Sequence, residues 1–94
     1  MIGLIARIKP KAGSEGDLEK VMKELVAKVR ENEPGCELYT LSRDEQGRFV
    51  MLEIYQDEDA LKAHGGSDHF RSLGKQMGPF MDGAPEIERL EVLT

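Results

Sequence analysis

The chain has 94 residues, too few for two ordinary domains, so we expect one domain over residues 1–94 with a core at about residues 2–93. Thirteen Lys and Arg residues against eighteen Asp and Glu residues give a net charge of −5. That charge opposes binding to phosphates, so we expect no nucleic-acid partner. No stretch approaches the roughly 20 apolar residues that cross a bilayer, and residues 1–6 lack a basic segment before their apolar run, so we expect no membrane partner.

Cysteine usage bears on location and redox chemistry. Cys36 is the only cysteine, so neither an intrachain disulfide nor a CxxC metal or redox site is possible. This usage favours a cytoplasmic location. We interpret Cys36 as a small buried hydrophobe, with a reactive thiol or an intersubunit bridge as the alternative.

The first part of the chain predicts a strand and then a helix. The apolar residues at positions 2, 4, 6 and 8 alternate with the residues at positions 3, 5, 7 and 9. This period of two predicts a strand ending at Pro10. Ser14 is placed to cap a helix that runs to about Asn32. The apolar stripe of this helix consists of Leu18, Val21, Met22, Leu25, Val26 and Val29.

The middle of the chain predicts a hairpin. Pro34-Gly35 stops the helix, and Cys36 to Arg43 forms a second strand. Residues 44–47 form a turn before a third strand, Phe49 to Tyr55. Because so few residues separate these strands, we expect them to pair antiparallel.

The last part predicts two more helices and a strand. Asp57 is placed to cap one helix, which Gly65-Gly66 ends with left-handed backbone conformations. Ser67 caps the next helix, and Ile87 to Leu93 forms the last strand. The residues on the apolar sides of these helices are Ala60, Leu61 and His64 in the first, and Phe70, Leu73, Met77 and Phe80 in the second.

This order of elements predicts a ferredoxin-like βαββαβ fold of the α+β class, a four-stranded antiparallel sheet with its helices on one face. Both faces of the third strand are apolar: residues 50, 52 and 54 point one way and residues 49, 51 and 55 the other. Covering several hundred Å² of free sheet, at roughly 25 cal/mol per Å², outweighs any surface ion pair. We therefore expect a homodimer whose sheets pack face to face.

Several segments together resemble one family. They are Glu33-Pro34-Gly35-Cys36, the strand at 48–55, the helix at 57–64, and Ser67-Asp68-His69-Phe70. In order and spacing they resemble the antibiotic biosynthesis monooxygenase (ABM) family, and its quinol monooxygenases in particular. The resemblance implies a dimeric α/β barrel that oxidises a small quinol or polyphenolic aromatic with O2. It implies no metal, flavin or haem cofactor, since an electron-rich phenolate can itself donate an electron to O2.

The two histidines, His64 and His69, are the candidate catalytic residues. Only imidazole titrates near neutrality without perturbation, so either ring could take a phenolic proton. Alternatively, His64 points into the core or a subunit contact, and His69 is solvated. Two imidazoles with no third ligand at regular spacing predict no metal site.

The candidate substrate-binding residues are aromatic, apolar or charged. Tyr39 and Tyr55 could orient a phenol or quinone, or simply pack in the core. An apolar wall of Phe70, Met77, Phe80 and Met81 could enclose a flat ligand, or pack the last helix on the sheet. One of Arg7, Arg71 and Glu53 could enter a cavity to bind an anion or accept a proton, or remain at a solvated edge.

Other functions stay open. The first is an isomerase of a small phosphorylated carbonyl compound that uses Arg7 or Arg71, and the second is a non-catalytic small-molecule-binding dimer. An RNA-recognition module has the same topology, but the −5 charge and the missing paired aromatics disfavour it. The haem-degrading members of the resembled family use Asn, Trp and His where this chain has Ala6, His64 and Gly74, which disfavours that chemistry.

Overall fold

The computed structural model describes residues 1–94 as a four-stranded sheet covered on one face by three helices. The sheet order is β2-β3-β1-β4, and every neighbouring pair is antiparallel. This is the predicted ferredoxin-like α+β fold. Its elements are β1 (Ile2–Ile8), α1 (Glu15–Asn32), β2 (Cys36–Arg43), β3 (Phe49–Tyr55), α2 (Glu58–Gly65), α3 (Asp68–Met77), a 3-10 turn (Gly78–Phe80) and β4 (Glu86–Glu91).

The outer ends of the sheet differ slightly from the prediction. β1 ends at Ile8 rather than at Pro10, which instead forms an isolated bridge with Met81. β4 ends at Glu91 rather than at Leu93. Glu91 lies opposite Ile2, the first residue of β1, so the neighbouring strand offers almost no backbone partner beyond it.

The caps of α2 and α3 were predicted correctly. The Asp57 side chain accepts a hydrogen bond from the Ala60 N–H (2.8 Å), and the Ser67 hydroxyl accepts one from the Phe70 N–H (3.2 Å). The predicted cap at Ser14 makes no side-chain hydrogen bond. The left-handed end at Gly65-Gly66 was also wrong: Gly66 has φ −93°, because its N–H bonds back to the carbonyls of α2 and the chain passes directly into Ser67.

Helix α1 forms the centre of the core. All six residues of its predicted stripe are buried against the sheet. The structure also decides which side of β3 faces the helices, since Phe49, Met51, Glu53 and Tyr55 are buried there. Full burial of an apolar side chain such as that of Phe49 or Met51 contributes about 1.5–3 kcal/mol to the free energy of folding. Glu53 is the one residue of β3 that places a carboxyl group within this layer.

The opposite face of the sheet carries no helix, and we call it the free face. Its apolar residues are Ile5, Leu38, Val50, Leu52, Ile54 and Leu90. Leu38 and Leu90 are 39% and 41% exposed. None of the helices is both long enough and apolar enough to span a membrane.

The helical layer also stops short of β4. Every residue of this strand is exposed, and Ile87, which pairs with Ala6, is 59% exposed although it points to the helical side. An opening therefore remains on the helical side of the sheet beside β4.

Candidate functional site

A cavity of about 460 Å³ lies at this opening, between the sheet and helices α2 and α3. Its polar side chains are Tyr39, Glu53 and His64, and no Lys or Arg lines it. Its apolar residues are Leu4, Ala6, Ile8, Met22, Leu25, Met51, Leu61, Phe70, Met77, Met81, Pro85 and Ile87. An apolar chamber with a few polar groups is typical of a small-molecule site.

Three aromatic rings hold the imidazole of His64 at the wall of this cavity. Its ring centroid lies 4.6 Å from that of Phe70, 5.3 Å from that of Tyr39 and 5.4 Å from that of Tyr55. All three contacts are tilted, a favourable geometry for aromatic pairs. Helix α2 delivers the ring, because His64 is its one buried residue.

A carboxylate fixes the orientation of this imidazole. Nδ1 of His64 lies 3.0 Å from both Oε1 and Oε2 of Glu33, whose side chain is 7% exposed. A carboxylate only accepts hydrogen bonds, so Nδ1 carries the proton and Nε2 keeps its lone pair. No protein group forms a hydrogen bond with Nε2. Every buried side-chain nitrogen and oxygen in the protein has a hydrogen-bond partner, so the unbonded Nε2 is accessible and not buried. Nε2 is therefore the atom that His64 offers to the cavity.

The same carboxylate contacts the second histidine. Nε2 of His69, from the first turn of α3, lies 2.5 Å from Oε2 of Glu33, and the His69 side chain is 15% exposed. Glu33 thus joins the two imidazoles in one hydrogen-bonded cluster. The cluster runs from the cavity wall, at His64, to the more exposed ring of His69.

Burial keeps His64 neutral. Desolvation lowers the pKa of this imidazole below its ordinary value, and the hydrogen bond and charge of Glu33 oppose that effect without cancelling it. At neutral pH the ring is uncharged. It can therefore accept a proton from a bound ligand, as a general base must.

Glu53 is a second titratable group in the cavity. Its side chain accepts a 2.6 Å hydrogen bond from the Tyr55 hydroxyl. Burial raises the pKa of Glu53 to about 7, and the Tyr55 hydrogen bond opposes that rise. Glu53 therefore exchanges a proton near neutrality, unlike an ordinary carboxyl group.

Two further side chains near the site, Cys36 and Tyr39, are not ionised at neutral pH. Burial raises the pKa of the Cys36 thiol to about 11, so Cys36 is not a thiolate nucleophile. Burial and the charge of Glu53 also raise the pKa of the Tyr39 hydroxyl, which remains a neutral hydrogen-bonding group.

Several of the residues singled out from the sequence lie at the cavity. His64, Tyr39, Phe70 and Met77 line it. His69 does not line it and reaches the cluster only through Glu33.

The remaining candidates lie behind or outside the cavity. Tyr55 is fully buried and lies behind two residues of the cavity wall, since its hydroxyl donates to Glu53 and its ring packs on His64. Phe80 packs against the core beyond the wall. Arg71 is exposed and pairs with Asp68, and Arg7 pairs with Glu88 at 3.1 Å.

Glu33 is the one titratable member of the site that sequence reasoning did not single out as a candidate functional residue. It follows α1 directly and lies 31 residues before His64 and 36 before His69. No local spacing connects it to either ring. The only signal was its position at the start of Glu33-Pro34-Gly35-Cys36, one of the segments that carry the family resemblance.

A larger groove, of about 970 Å³, lies at the turn end of the sheet and is lined mostly by charged residues. Each of its cations is neutralised by a carboxylate. The pairs are Arg7 with Glu88, Lys9 with Asp82, Arg43 with Glu19, and Arg48 with Asp44. The groove therefore presents no unpaired cation to an anionic ligand.

Solved structures resemble this chain over its whole length. A candidate antibiotic biosynthesis monooxygenase from Caulobacter crescentus is 45% identical, with a TM-score of 0.95, over 99% of this chain and 90% of that one. A Pseudomonas aeruginosa protein is 30% identical, with a TM-score of 0.88, over 99% and 94%. A Mycobacterium tuberculosis protein is 26% identical, with a TM-score of 0.91, over 99% and 95%. No curated protein matches the chain significantly.

The family comparison agrees with these structures. Residues 1–76 match the model of a family described as "Antibiotic biosynthesis monooxygenase". That match includes β1 to β3, Glu33, both histidines and most of α3. The chain belongs to the antibiotic biosynthesis monooxygenase family.

Proposed function

We propose that this protein is a monooxygenase that oxidises a small quinol or polyphenolic aromatic with O2 and needs no cofactor. The observation that supports it best is the pair formed by His64 and Glu33 at the wall of an apolar cavity. This arrangement places one oriented, neutral base against a chamber of the size and polarity that suit a flat aromatic ligand.

The first step is removal of a phenolic proton. Nε2 of His64 accepts it, and Glu33 stabilises the imidazolium through the Nδ1 hydrogen bond. The phenolate is electron-rich, and the apolar walls shield it from water. An electron then passes from the phenolate to O2, and the two radicals combine to form a carbon–oxygen bond.

The overall reaction balances without an external reductant. A hydroquinone and O2 give a hydroxyquinone and water, so the substrate supplies both electrons that reduce the second oxygen atom. The ring carbon loses its proton as the O–O bond of the peroxide breaks, and neutral Glu53 can donate a proton to the departing oxygen, which leaves as water. The carboxyl of Glu53 is suited to this role because its pKa of about 7 leaves both forms populated near neutrality.

The cavity favours a quinol over a phosphorylated carbonyl compound. A phosphate group needs a cation or several N–H donors, but no Lys or Arg lines the cavity and Glu53 adds a carboxyl group. Arg7 and Arg71, the two candidate anion ligands, are both engaged in ion pairs elsewhere. We therefore prefer the quinol substrate to the isomerase alternative.

We further propose that residues 1–94 act as one domain in a cytoplasmic homodimer, with the free faces of two sheets packed together. The free face is apolar at its centre, and the Arg7–Glu88 ion pair lies toward its edge. A stable interface buries about 800 Å² per partner. Apolar burial on that scale, at roughly 25 cal/mol per Å², favours the dimer and opposes the cost of association.

Oxygen uptake with a panel of hydroquinones tests the proposed chemistry. We expect uptake above the rate of autoxidation, and loss of most of the increase in His64→Ala. An exposed substitution such as Lys20→Ala should leave the rate unchanged. A rate equal to autoxidation for every quinol would rule the proposal out, as would full activity in both His64→Ala and His69→Ala.

A further inference from the structure

The cluster of Glu33, His64 and His69 contains one more imidazole than is needed to orient the base His64. It offers one carboxylate oxygen, Nδ1 of His64 and Nε2 of His69, and these atoms lie within 4.8 Å of one another. Glu33 and His64 are 7% and 6% exposed, and His69 is 15% exposed. Two imidazoles and a carboxylate are a ligand set for Zn²⁺ and related divalent ions when one position stays open.

We propose that Glu33, His64 and His69 bind a divalent transition-metal ion such as Zn²⁺, and that the bound ion switches off the base in the cavity. The metal half of the proposal needs only the three ligands. The switching half rests on the proposed function, because it concerns the proton that His64 accepts from a quinol.

The fold brings the ligands together from three separate elements. Glu33 directly follows α1, His64 lies in the last turn of α2, and His69 lies in the first turn of α3. The Ser67 hydroxyl donates to the His64 carbonyl at 2.7 Å and accepts from the Phe70 N–H, which fixes the link between the two helices. The site therefore does not have to be assembled by the ion. His69, the most exposed of the three, marks the side from which an ion would arrive.

The switch follows from the tautomer of His64. Without metal, Nδ1 carries the proton and donates a hydrogen bond to Glu33, so Nε2 is the basic atom. A metal at Nδ1 needs the lone pair of that atom, so the single proton of the neutral ring must move to Nε2. The cavity then faces an N–H donor instead of a base. Metal binding and proton abstraction are therefore mutually exclusive at this histidine.

Titration of the tag-free full-length protein with Co²⁺ and Zn²⁺ near pH 7.5 tests the site. We expect visible Co²⁺ absorption bands of a four- or five-coordinate site, one ion per chain, and displacement by Zn²⁺. Glu33→Gln and His69→Ala should each weaken Zn²⁺ binding at least tenfold in calorimetry. Asp68→Asn, an exposed neighbour of His69, should bind like the wild type. His69→Gln provides a second test if His69→Ala does not fold.

Nitrogen-detected imidazole NMR reports the switch without any substrate. We expect the proton of His64 to move from Nδ1 to Nε2 when Zn²⁺ is added. Zn²⁺ should also stop quinol-dependent oxygen uptake by the wild type, and EDTA should restore it.

Two results would overturn the proposal separately. Absence of micromolar Zn²⁺ binding, or equal affinity in His69→Ala and the wild type, would remove the metal site. Zn²⁺ binding with the Nδ1 proton unchanged would remove the switch. If no quinol is turned over at all, the proposed function fails, while absorption, calorimetry and NMR still decide the metal site.

Discussion

Glu33 and His64 show how a buried charge sets the chemistry of one imidazole. Burial lowers the pKa of His64, while the hydrogen bond and negative charge of Glu33 raise it. In Glu33→Gln the charge is lost, although an amide oxygen can still accept from Nδ1. We expect kcat to fall at least about tenfold, since the imidazolium loses its counter-charge. We also expect the acidic limb of the kcat/KM profile to move to lower pH.

The pH profile separates this role from a purely structural one. A structural defect would lower activity at every pH and leave the limb in place. Glu31→Gln, an exposed change two residues earlier, near the end of α1, serves as the control and should keep both the rate and the profile. A limb at the same pH in Glu33→Gln and the wild type would contradict the role assigned to Glu33.

Glu53 carries a stability cost that depends on pH. Its pKa is about 7 in the folded protein against 4.5 for an ordinary glutamate, so the folded state holds the proton more tightly than the unfolded state. The stability linked to that proton is fully present below pH 4.5 and is lost as the pH rises through about 7. The difference between the two values corresponds to roughly 3 kcal/mol.

Glu53→Gln should therefore gain stability over the wild type as the pH rises. We expect the difference in free energy of unfolding to grow between pH 5 and pH 8, toward roughly 3 kcal/mol, because glutamine carries no titrating proton and its oxygen still accepts from Tyr55. Urea unfolding at several pH values measures it. Glu45→Gln, in the exposed turn before β3, should show no such trend. A constant difference would contradict the raised pKa.

At the residue scale, the sequence identified the side chains of the candidate site better than it identified their hydrogen-bond partners. His64 was identifiable because only imidazole titrates near neutrality, and Phe70 and Met77 were identifiable by their apolar helical spacing. Glu33 was not, since its hydrogen bonds to the two histidines join residues more than 30 positions apart in the chain. Such contacts depend on how three elements meet, and no local pattern encodes that meeting.

Between elements, the α1–β2 turn packs closely against helix α2 at Gly35. A Cβ at Gly35 would lie 2.7 Å from the Cβ of Ala60, too close for any real contact. The Gly35 carbonyl also accepts a hydrogen bond from the Gln56 N–H at 2.9 Å, which holds the turn in place and prevents it from moving away from α2. Gly35 is thus required by packing, not by backbone conformation.

We expect Gly35→Ala to destabilise the protein by roughly 1–3 kcal/mol, as overpacked sites do. It should also lower activity, because α2 carries His64 and must shift. Gly16→Ala is the matched control: no atom lies within 4 Å of its added Cβ and the site is in α1, so it should stabilise by about 0.5–1 kcal/mol. Thermal unfolding of both variants decides the matter, and an unchanged Tm in Gly35→Ala would contradict it.

The elements themselves were predictable where the pattern was local. Strands β2 and β3 and the caps Asp57 and Ser67 follow from alternation, turn residues and side-chain oxygens at helix starts. The end of β4 was not, because it is set by the first residue of β1 at the other end of the chain. The side of β3 that faces the helices also required the assembled fold, since both sides are apolar.

At the scale of the whole molecule, the proposed homodimer depends on the free face. Leu52 lies at its centre, opposite Ile5 of β1 and Thr40 of β2. The side chain is partly exposed in a single copy, but two packed sheets would bury it. A carboxylate there would have to be desolvated in the dimer and would remain hydrated in the monomer.

Leu52→Glu should therefore convert the dimer to a folded monomer, whereas Ala27→Asp, which adds the same charge on the exposed side of α1, should leave the dimer intact. Sedimentation velocity at micromolar concentration gives both masses, and circular dichroism shows that the variants remain folded. A wild type that sediments as a monomer would refute the dimer outright. A dimer that persists in Leu52→Glu would place the interface elsewhere, because a buried and unpaired glutamate costs more than the lost leucine contacts alone.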